Sequence, residues 1–362
     1  MFGKFALSAV LILSLAFFAG CSSAEKIRES EILFSAGNEK FDKGDYEGAL
    51  TDFNKAIELN PGNATLHYTS GNASLVQNDT QAAVQSYSRA IELNPGYVEA
   101  YNKRGLAKSR SGDPDGAIVD LSAAIKLDKR FADAYLNRGN SKLATRDYGG
   151  AVSDYDKYLR LRPGSAEALR NRGNAKWYGG QYKDAVADYD KAVELNPSDG
   201  EAVYNRGTVL LFLGDHDGAI KDFTATLELN PEHADALNNR GMAWHRKGDY
   251  ENAIEDYGKA IALDEKHSSA YFNRGETKNA SGDTEGAIED FRKATEINPR
   301  YALAYGNWSR ILALQGKTDE MLEKLRKAVE LDPKYKKVAR RHQDFVNYWE
   351  NPEFEKLTKP DN

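Results

Sequence analysis

AEALRNRGNAKWYGGQYKDAVADYDKAVELNPS, residues Ala166–Ser198, carries two helix-period apolar stretches on either side of the turn Gly180-Gln181-Tyr182. It closes on Asn196-Pro197, where the residue before proline is pushed out of the helical region and the second helix must stop. The same signature returns every 34 residues: Pro61, Pro95, Pro163, Pro197, Pro231, Pro299 and Pro333 share one grid, with Lys129 and Glu265 at its two other nodes. A second column reads Gly37, Gly71, Gly105, Gly139, Gly173, Gly207, Gly241 and Gly275, then Ser309. A third holds Ala49 through Ala287 and then Met321, and a fourth is aromatic or Leu from Phe53 to Leu325. Nine such units run without insertion over residues 30–335.

Each column asks for a physical reason. The turn column is Gly in seven repeats and Asn78 in an eighth, both suited to the left-handed conformation that ends a helix. Arg146 is the exception and is expected there under mild strain. Glycine inside the first helix costs about 1 kcal/mol against Ala. Carried eight times, that cost implies close approach of the paired helix, expected at the small Ala column. One helix pair cannot bury its apolar face alone, so successive pairs must stack.

The period and the small–small–aromatic–Pro pattern resemble the tetratricopeptide repeat. The resemblance implies an all-α, right-handed superhelical α-solenoid of nine helix-turn-helix repeats plus a C-terminal capping helix. That helix is expected at 336–350, where Val338, His342, Phe345 and Trp349 would form one stripe, followed by a polar tail over 351–362.

The first 21 residues differ. Lys4 precedes an apolar run, Phe5 to Phe18, which as a helix spans roughly 21 Å, short of the ~30 Å hydrocarbon core. Phe18-Ala19-Gly20-Cys21 resembles the lipobox of prokaryotic lipoproteins, in which the cysteine is acylated and becomes the mature N-terminus. The expectation is a lipoprotein signal peptide at 1–20, lipid (palmitate among its chains) on Cys21 and a short tether at 21–29. Ser22 resembles the outer-membrane sorting pattern of bacteria with two membranes, so the chain is expected in the cell envelope, outside the cytoplasm.

Composition narrows the chemistry. Forty-nine Lys and Arg against 55 Asp and Glu give a net charge of −6, which argues against nucleic acid as a partner. With 41% hydrophobic and 29% charged residues the chain is neither disordered nor an integral membrane protein. One cysteine excludes disulfide scaffolds, zinc fingers and cysteine-ligated clusters, and neither metal nor cofactor is expected. Gly316-Lys317-Thr318 lacks the earlier glycine of a phosphate-binding loop, and Asp113-Pro114-Asp115-Gly116 lacks the spaced ligands of a calcium loop; both fall on the turn grid. No catalytic residues are assigned, because the carboxylates recur on the grid and no unique acid/base set stands apart.

Arg104, Arg138, Arg172, Arg206, Arg240 and Arg274 each precede a column glycine, and each has an Asp sixteen residues later, from Asp120 to Asp290. Repeats two and nine lack both members, which favours an Arg–Asp pair inside each repeat over one bridging neighbours. A recurring site for anionic ligands is the functional alternative.

In tetratricopeptide families the first helices line the groove. The resemblance places Arg170, Asn174, Trp177 and Tyr178, then Tyr204, Asn205, Thr208, Leu211 and Phe212, and beyond them His245, on that face. Aromatic anchors among Asn amides, flanked by a mostly acidic column from Glu31 to Asp235, have the composition of a peptide-binding hot spot. Arg170, Asn174 and Asn205 resemble three members of the carboxylate clamp of chaperone-binding relatives, but Asp235 and Asn239 hold its other two places. The alternative for Trp177 and Phe212 is packing between repeats. The chain is thus expected to be a membrane-anchored, non-enzymatic scaffold for peptides or partner proteins. A groove enzyme and a polysaccharide- or solute-binding module are the alternatives.

Replacing Cys21 tests the anchor. Stable attachment needs two acyl-type signals, so Cys21→Ala is expected to release the protein from membranes or leave its signal uncleaved. A variant of mature length that stays fully membrane-bound on fractionation refutes the lipid anchor.

Overall fold

Aspartate directly after the turn column starts the second helices. Asp45, Asp79, Asp113, Asp147, Asp215, Asp249 and Asp283 each accept, through Oδ1, the amide hydrogen of the residue three positions on. Each bond satisfies a donor that the helix start leaves open. Just before these caps the chain turns through positive φ at Gly44, Gly112, Gly214, Gly248 and Gly282, and at Asn78 (62°) and Arg146 (63°); Gly180 and Gly316 do the same before Gln181 and Lys317. Arg146 therefore holds the left-handed conformation its place demands, at the cost a β-carbon brings there.

The structure, a computed structural model, describes the backbone of residues 3–359 and the side chains of residues 23–359. The signal segment's side chains and the Cys21 side chain lie outside the described residues. Residues 21–29, expected as a tether, continue the first helix of repeat one, Gly3–Asp42. Among the described residues no helix is long and apolar enough to cross a membrane, and there is no strand.

The chain divides into two compact units, Met1–Gln181 and Tyr182–Asn362. Each is an all-α solenoid segment. The first holds repeats one to four and the first helix of repeat five, Ala166–Tyr178; the second begins with Tyr182–Leu195 and holds repeats six to nine. Within a repeat the aromatic column is fully interior: Phe53, Tyr87, Tyr155, Phe223, Tyr257 and Phe291 are at most 1% exposed. These rings, rather than the Ala column, fill the space the glycines leave. A β-carbon at Gly37, Gly71, Gly139, Gly241 or Gly275 would stand 2.6–2.9 Å from the paired ring. Gly105 faces Leu121 at 2.7 Å in the same way, while the Ala column contributes carbonyl oxygens at 3.2–3.3 Å from Ala49, Ala117 and Ala287.

Successive first helices also touch one another, as Val98–Arg110 does Ala132–Ala144 in the first unit and Ala234–Lys247 does Ser268–Ser281 in the second. The first-helix side is thereby the inner face of each unit.

The C-terminal cap departs from the single helix expected over 336–350. The chain forms Tyr335–Ala339, a 3-10 helix Gln343–Tyr348 and a further helix, Pro352–Thr358, where a polar tail was expected. The break has a local cause: His342 turns extended (ψ 130°) and its Nδ1 accepts the Asp344 amide, while Asp344 binds Arg310 at 2.9 Å. The tighter 3-10 period then turns both Phe345 and Tyr348 inward and leaves Val338 and Trp349 43% exposed. Pro352 sits in the first turn of the last helix, Asn351 caps it, and Phe354 (1% exposed) packs on Phe345 with ring centroids 5.6 Å apart.

Phe354→Ala is expected to cost about 3–5 kcal/mol, the range for a buried aromatic, in chemical denaturation of the second unit's transition. A loss within about 0.5 kcal/mol would show that 352–358 is surface decoration.

Candidate functional site

The Arg–Asp ladder was one candidate ligand site, and its geometry answers for itself. Arg104, Arg138, Arg206 and Arg240 each grip the Asp of their own repeat with Nε and Nη2, at 2.6–2.8 Å. Arg274 does the same with Asp290 at 2.7–2.9 Å. The carboxylates are 2–4% exposed and the guanidinium side chains 17–21%. The pairing inside the repeat is as expected, but a second arm was not foreseen. Nη1 reaches sixteen residues back into the preceding repeat, to Ser88, Ser122 and Thr224 hydroxyls from Arg104, Arg138 and Arg240, and to Asp156 and Asp190 carboxylates from Arg172 and Arg206. One planar fork thus ties two helices of its repeat and the neighbouring repeat at once. Hydrogen bonding to Asp222 raises the Arg206 pKa further above its ordinary value. These guanidiniums are consumed by the scaffold and offer no anion site.

The expected groove residues fall in both units. In the first, Arg170, Asn174 and Trp177 are half-buried, while Tyr178 is 61% exposed and stacked on Tyr148 at 5.7 Å. In the second, Phe212 is 59% exposed against Tyr182 at 4.6 Å, so it is not interior packing. Tyr204 and Leu211 pack instead onto the cluster of Ala219, Phe223, Ala236 and Ala243. Tyr204 stacks on His233 at 4.7 Å, and its hydroxyl accepts from Asn239 Nδ2. Burial, reinforced by Asp235, pushes that hydroxyl's pKa up. Thr208 spends its hydroxyl on the Tyr204 carbonyl, and Asn205 is half-buried.

His245 alone of the expected residues lines the two adjoining cavities of the second unit's inner face, about 200 and 170 Å³. Its Nδ1 lies 2.9 Å from Thr277 Oγ1, which itself donates to the Asn273 carbonyl. The ring nitrogen therefore carries the hydrogen there, leaving Nε2 as the acceptor. Burial first, and then the neighbouring Arg246, hold the imidazole pKa below its ordinary value, so the ring is neutral at pH 7.

Residues that sequence reasoning passed over complete the site. Glu276 lines both cavities and accepts from Asn307 Nδ2 at 2.7 Å; Arg310 binds Asp344 and, at 3.2 Å, Asn307 Oδ1. Burial raises the Glu276 pKa, opposed by the Asn307 bond and by the charges of Arg246 and Arg310. Among the described residues neither Glu276 nor Arg246 has an ion-pair partner within reach. No cluster of metal-ligating side chains forms among them either. The arrangement supplies hydrogen-bonding groups and one negative charge on the wall of both cavities.

Comparison with known proteins agrees with the architecture. Models of the tetratricopeptide repeat match residues 37–75, 71–112, 102–166, 170–223, 204–270, 268–301 and 302–335. No curated protein matches the chain. Among solved structures, YrrB, described as a TPR protein with an unusual peptide-binding site, is 30% identical over 52% of this chain and 97% of its own, with a TM-score of 0.47. MamA from Desulfovibrio magneticus RS-1 is 26% identical over 47% of this chain and 96% of its own, with a TM-score of 0.45. The APC/C hetero-tetramer Cut9–Hcn1 matches 80% of this chain and 56% of that one at 18% identity and a TM-score of 0.53, a likeness of fold.

The ladder's two arms are separable by double-mutant cycles on Arg206. Its coupling to Asp222, both groups largely buried, is expected to be large, since breaking one partner of such a pair costs about 3–5 kcal/mol. Its coupling to the more exposed Asp190 is expected at about 0–1 kcal/mol. Equal couplings would contradict the assignment of Asp222 as the principal partner.

Proposed function

Because the chain belongs to the tetratricopeptide repeat family, we propose that it is a protein-interaction scaffold whose inner face takes extended peptide segments of partner proteins. The observation that carries the reading is an asymmetry of satisfaction. The recurring Arg, Asp and Asn groups bond to one another, whereas beside the two cavities of repeats seven to nine Glu276 and Arg246 keep charges without ionic partners. Surface groups that a scaffold does not consume are available to a ligand. The mechanism is binding without chemistry: a preformed surface spares the ordering cost that association otherwise carries.

The proposal extends to location. The apolar run followed by Ala19-Gly20-Cys21 supports export and lipidation at Cys21, which would hold the array on an outer membrane face in a cell-envelope process such as assembly, secretion or wall remodelling. Tethering raises the effective concentration of the groove near other envelope components. A second reading, a platform for saccharides or other solutes, is favoured by the exposed rings of Tyr178 and Phe212.

A photo-crosslinking residue distinguishes the faces. Placed at Asn279, on the inner face beside the cavity, it is expected to trap a partner polypeptide in intact cells; placed at Glu255, exposed on a second helix, it is not. Equal trapping from both positions, or none from Asn279 while saccharide is captured, would remove the peptide-scaffold reading.

A further inference from the structure

In repeats two and four the residue after the column glycine serves the ring of the partner helix. Tyr87 donates its hydroxyl to Asn72 Oδ1 at 2.8 Å, and Tyr155 donates to Asn140 Oδ1 at 2.7 Å. Repeat eight breaks the coupling on both sides. Its ring is Phe291, with no hydroxyl to satisfy, and the residue after Gly275 is Glu276. A carboxylate with no ring hydroxyl to serve therefore stands on the inner face, in the shared wall of the two cavities.

The surroundings decide what it would meet. In the larger cavity the Arg310 charge is matched by Asp344 at 2.9 Å, and His245 is neutral, so Glu276 sets a net charge of one negative unit. The Asn307 amide gives Glu276 one hydrogen bond, to Oε1, against the roughly four acceptor sites a carboxylate offers. His245 adds the bare acceptor Nε2. Phe291, Ile311 and Leu314 supply apolar wall. At about 200 and 170 Å³ the cavities lie below the ~300–1,000 Å³ of small-molecule pockets, which suits a single side chain rather than a free ligand. Arg246 and Glu276 are both exposed, but Arg246 lines only the smaller cavity, so the larger one keeps the negative balance that Glu276 sets.

We infer that Glu276 makes this part of the groove selective for a basic side chain, Lys or Arg, of the bound peptide. The inference rests on the reading of the inner face as a peptide groove. The methylene stem lies along the exposed Leu314, and the cationic head donates to Glu276 and the His245 acceptor. The carboxyl pKa, raised by burial, gives the contact a pH dependence: binding fades as pH falls and Glu276 takes up a proton.

Peptide phage display against the full chain, run in parallel on Glu276→Gln, tests this with a defined library. The wild-type pool is expected to be enriched in Lys and Arg at one position. A peptide from it is expected to lose about tenfold or more in affinity when that residue becomes norleucine, when the protein carries Glu276→Gln, and on moving from neutral toward acid pH. The near-isosteric Gln keeps the Asn307 bond, and an unchanged melting curve confirms the variant is folded. Peptides without a basic preference, or the same basic peptides captured equally by Glu276→Gln, overturn the inference and leave the groove reading standing. A library that yields no binder overturns both.

Discussion

The contact between glycine and ring sets the distance between the paired helices in repeats one, two, four, seven and eight. With the partner ring occupying the place of a β-carbon, 2.6–2.9 Å away, the two helices of a repeat are drawn closer than any other residue permits. That closeness buries the ring completely, and a buried Tyr hydroxyl must then find an acceptor. The acceptor lies on the inner face, at Asn72 and Asn140, so the packing constraint dictates which inner-face residues are committed before any ligand is considered. Repeat eight, with Phe291, escapes that dictate.

The guanidinium fork works at the next level up. Its bidentate hold on the Asp of its own repeat fixes the helix pair, and its third nitrogen sets the spacing to the preceding repeat. The ends of the array keep the same junction by other chemistry. In repeat one, which has Ala36 in place of Arg, Lys40 one turn later reaches Asp52 at 2.6 Å. In repeat nine both partners are exchanged, and the Lys324 ammonium lies over the Trp308 ring at 4.4 Å. Charge is conserved in neither sign nor position, whereas a polar link between the helices is retained.

Much of this was legible because a repeat states its rules many times over. The period, the turn positions with Arg146 among them, and the Arg206–Asp222 type of pairing follow from columns alone. Columns name a spacing without naming the contact. The glycines were matched to the small Ala column, since nothing in spacing says that a ring can lie flat in the gap. The second guanidinium arm was hidden because its acceptors vary among Ser, Thr and Asp. The cap was misread for a different reason. It occurs once, and its apolar stripe is equally compatible with an α-helix; the His342 and Asp344 bonds that break it are visible only when Arg310 is in place. At the groove, Tyr204 and Leu211 are partly buried, packed against the cluster around Phe223. Glu276 occurs once, at a position that holds Asn, Leu, Thr, Met or Arg in the other repeats, so no column singles it out.

The columns of such an array differ in how freely they can change. Breaking a buried Arg–Asp pair or filling the glycine gap costs a large share of the ~5–15 kcal/mol that keeps a domain folded, so those columns are held. In repeats two and four the inner-face Asn is held by the ring hydroxyl behind it. Once the ring loses that oxygen, as Phe291 has, the position in front of it is free to change without leaving an unsatisfied group inside. Removing a single buried oxygen on the second helix thus opens a site on the first. The same release holds at Thr208, before Phe223, and at Asn38, before Phe53, whereas Met242 stands before Tyr257, whose hydroxyl turns to Thr277 instead. Glu276 and Arg310, which stands before Leu325, are the charged residues at such positions; Asp344 matches Arg310, which leaves Glu276 as the charge that the proposed peptide would meet.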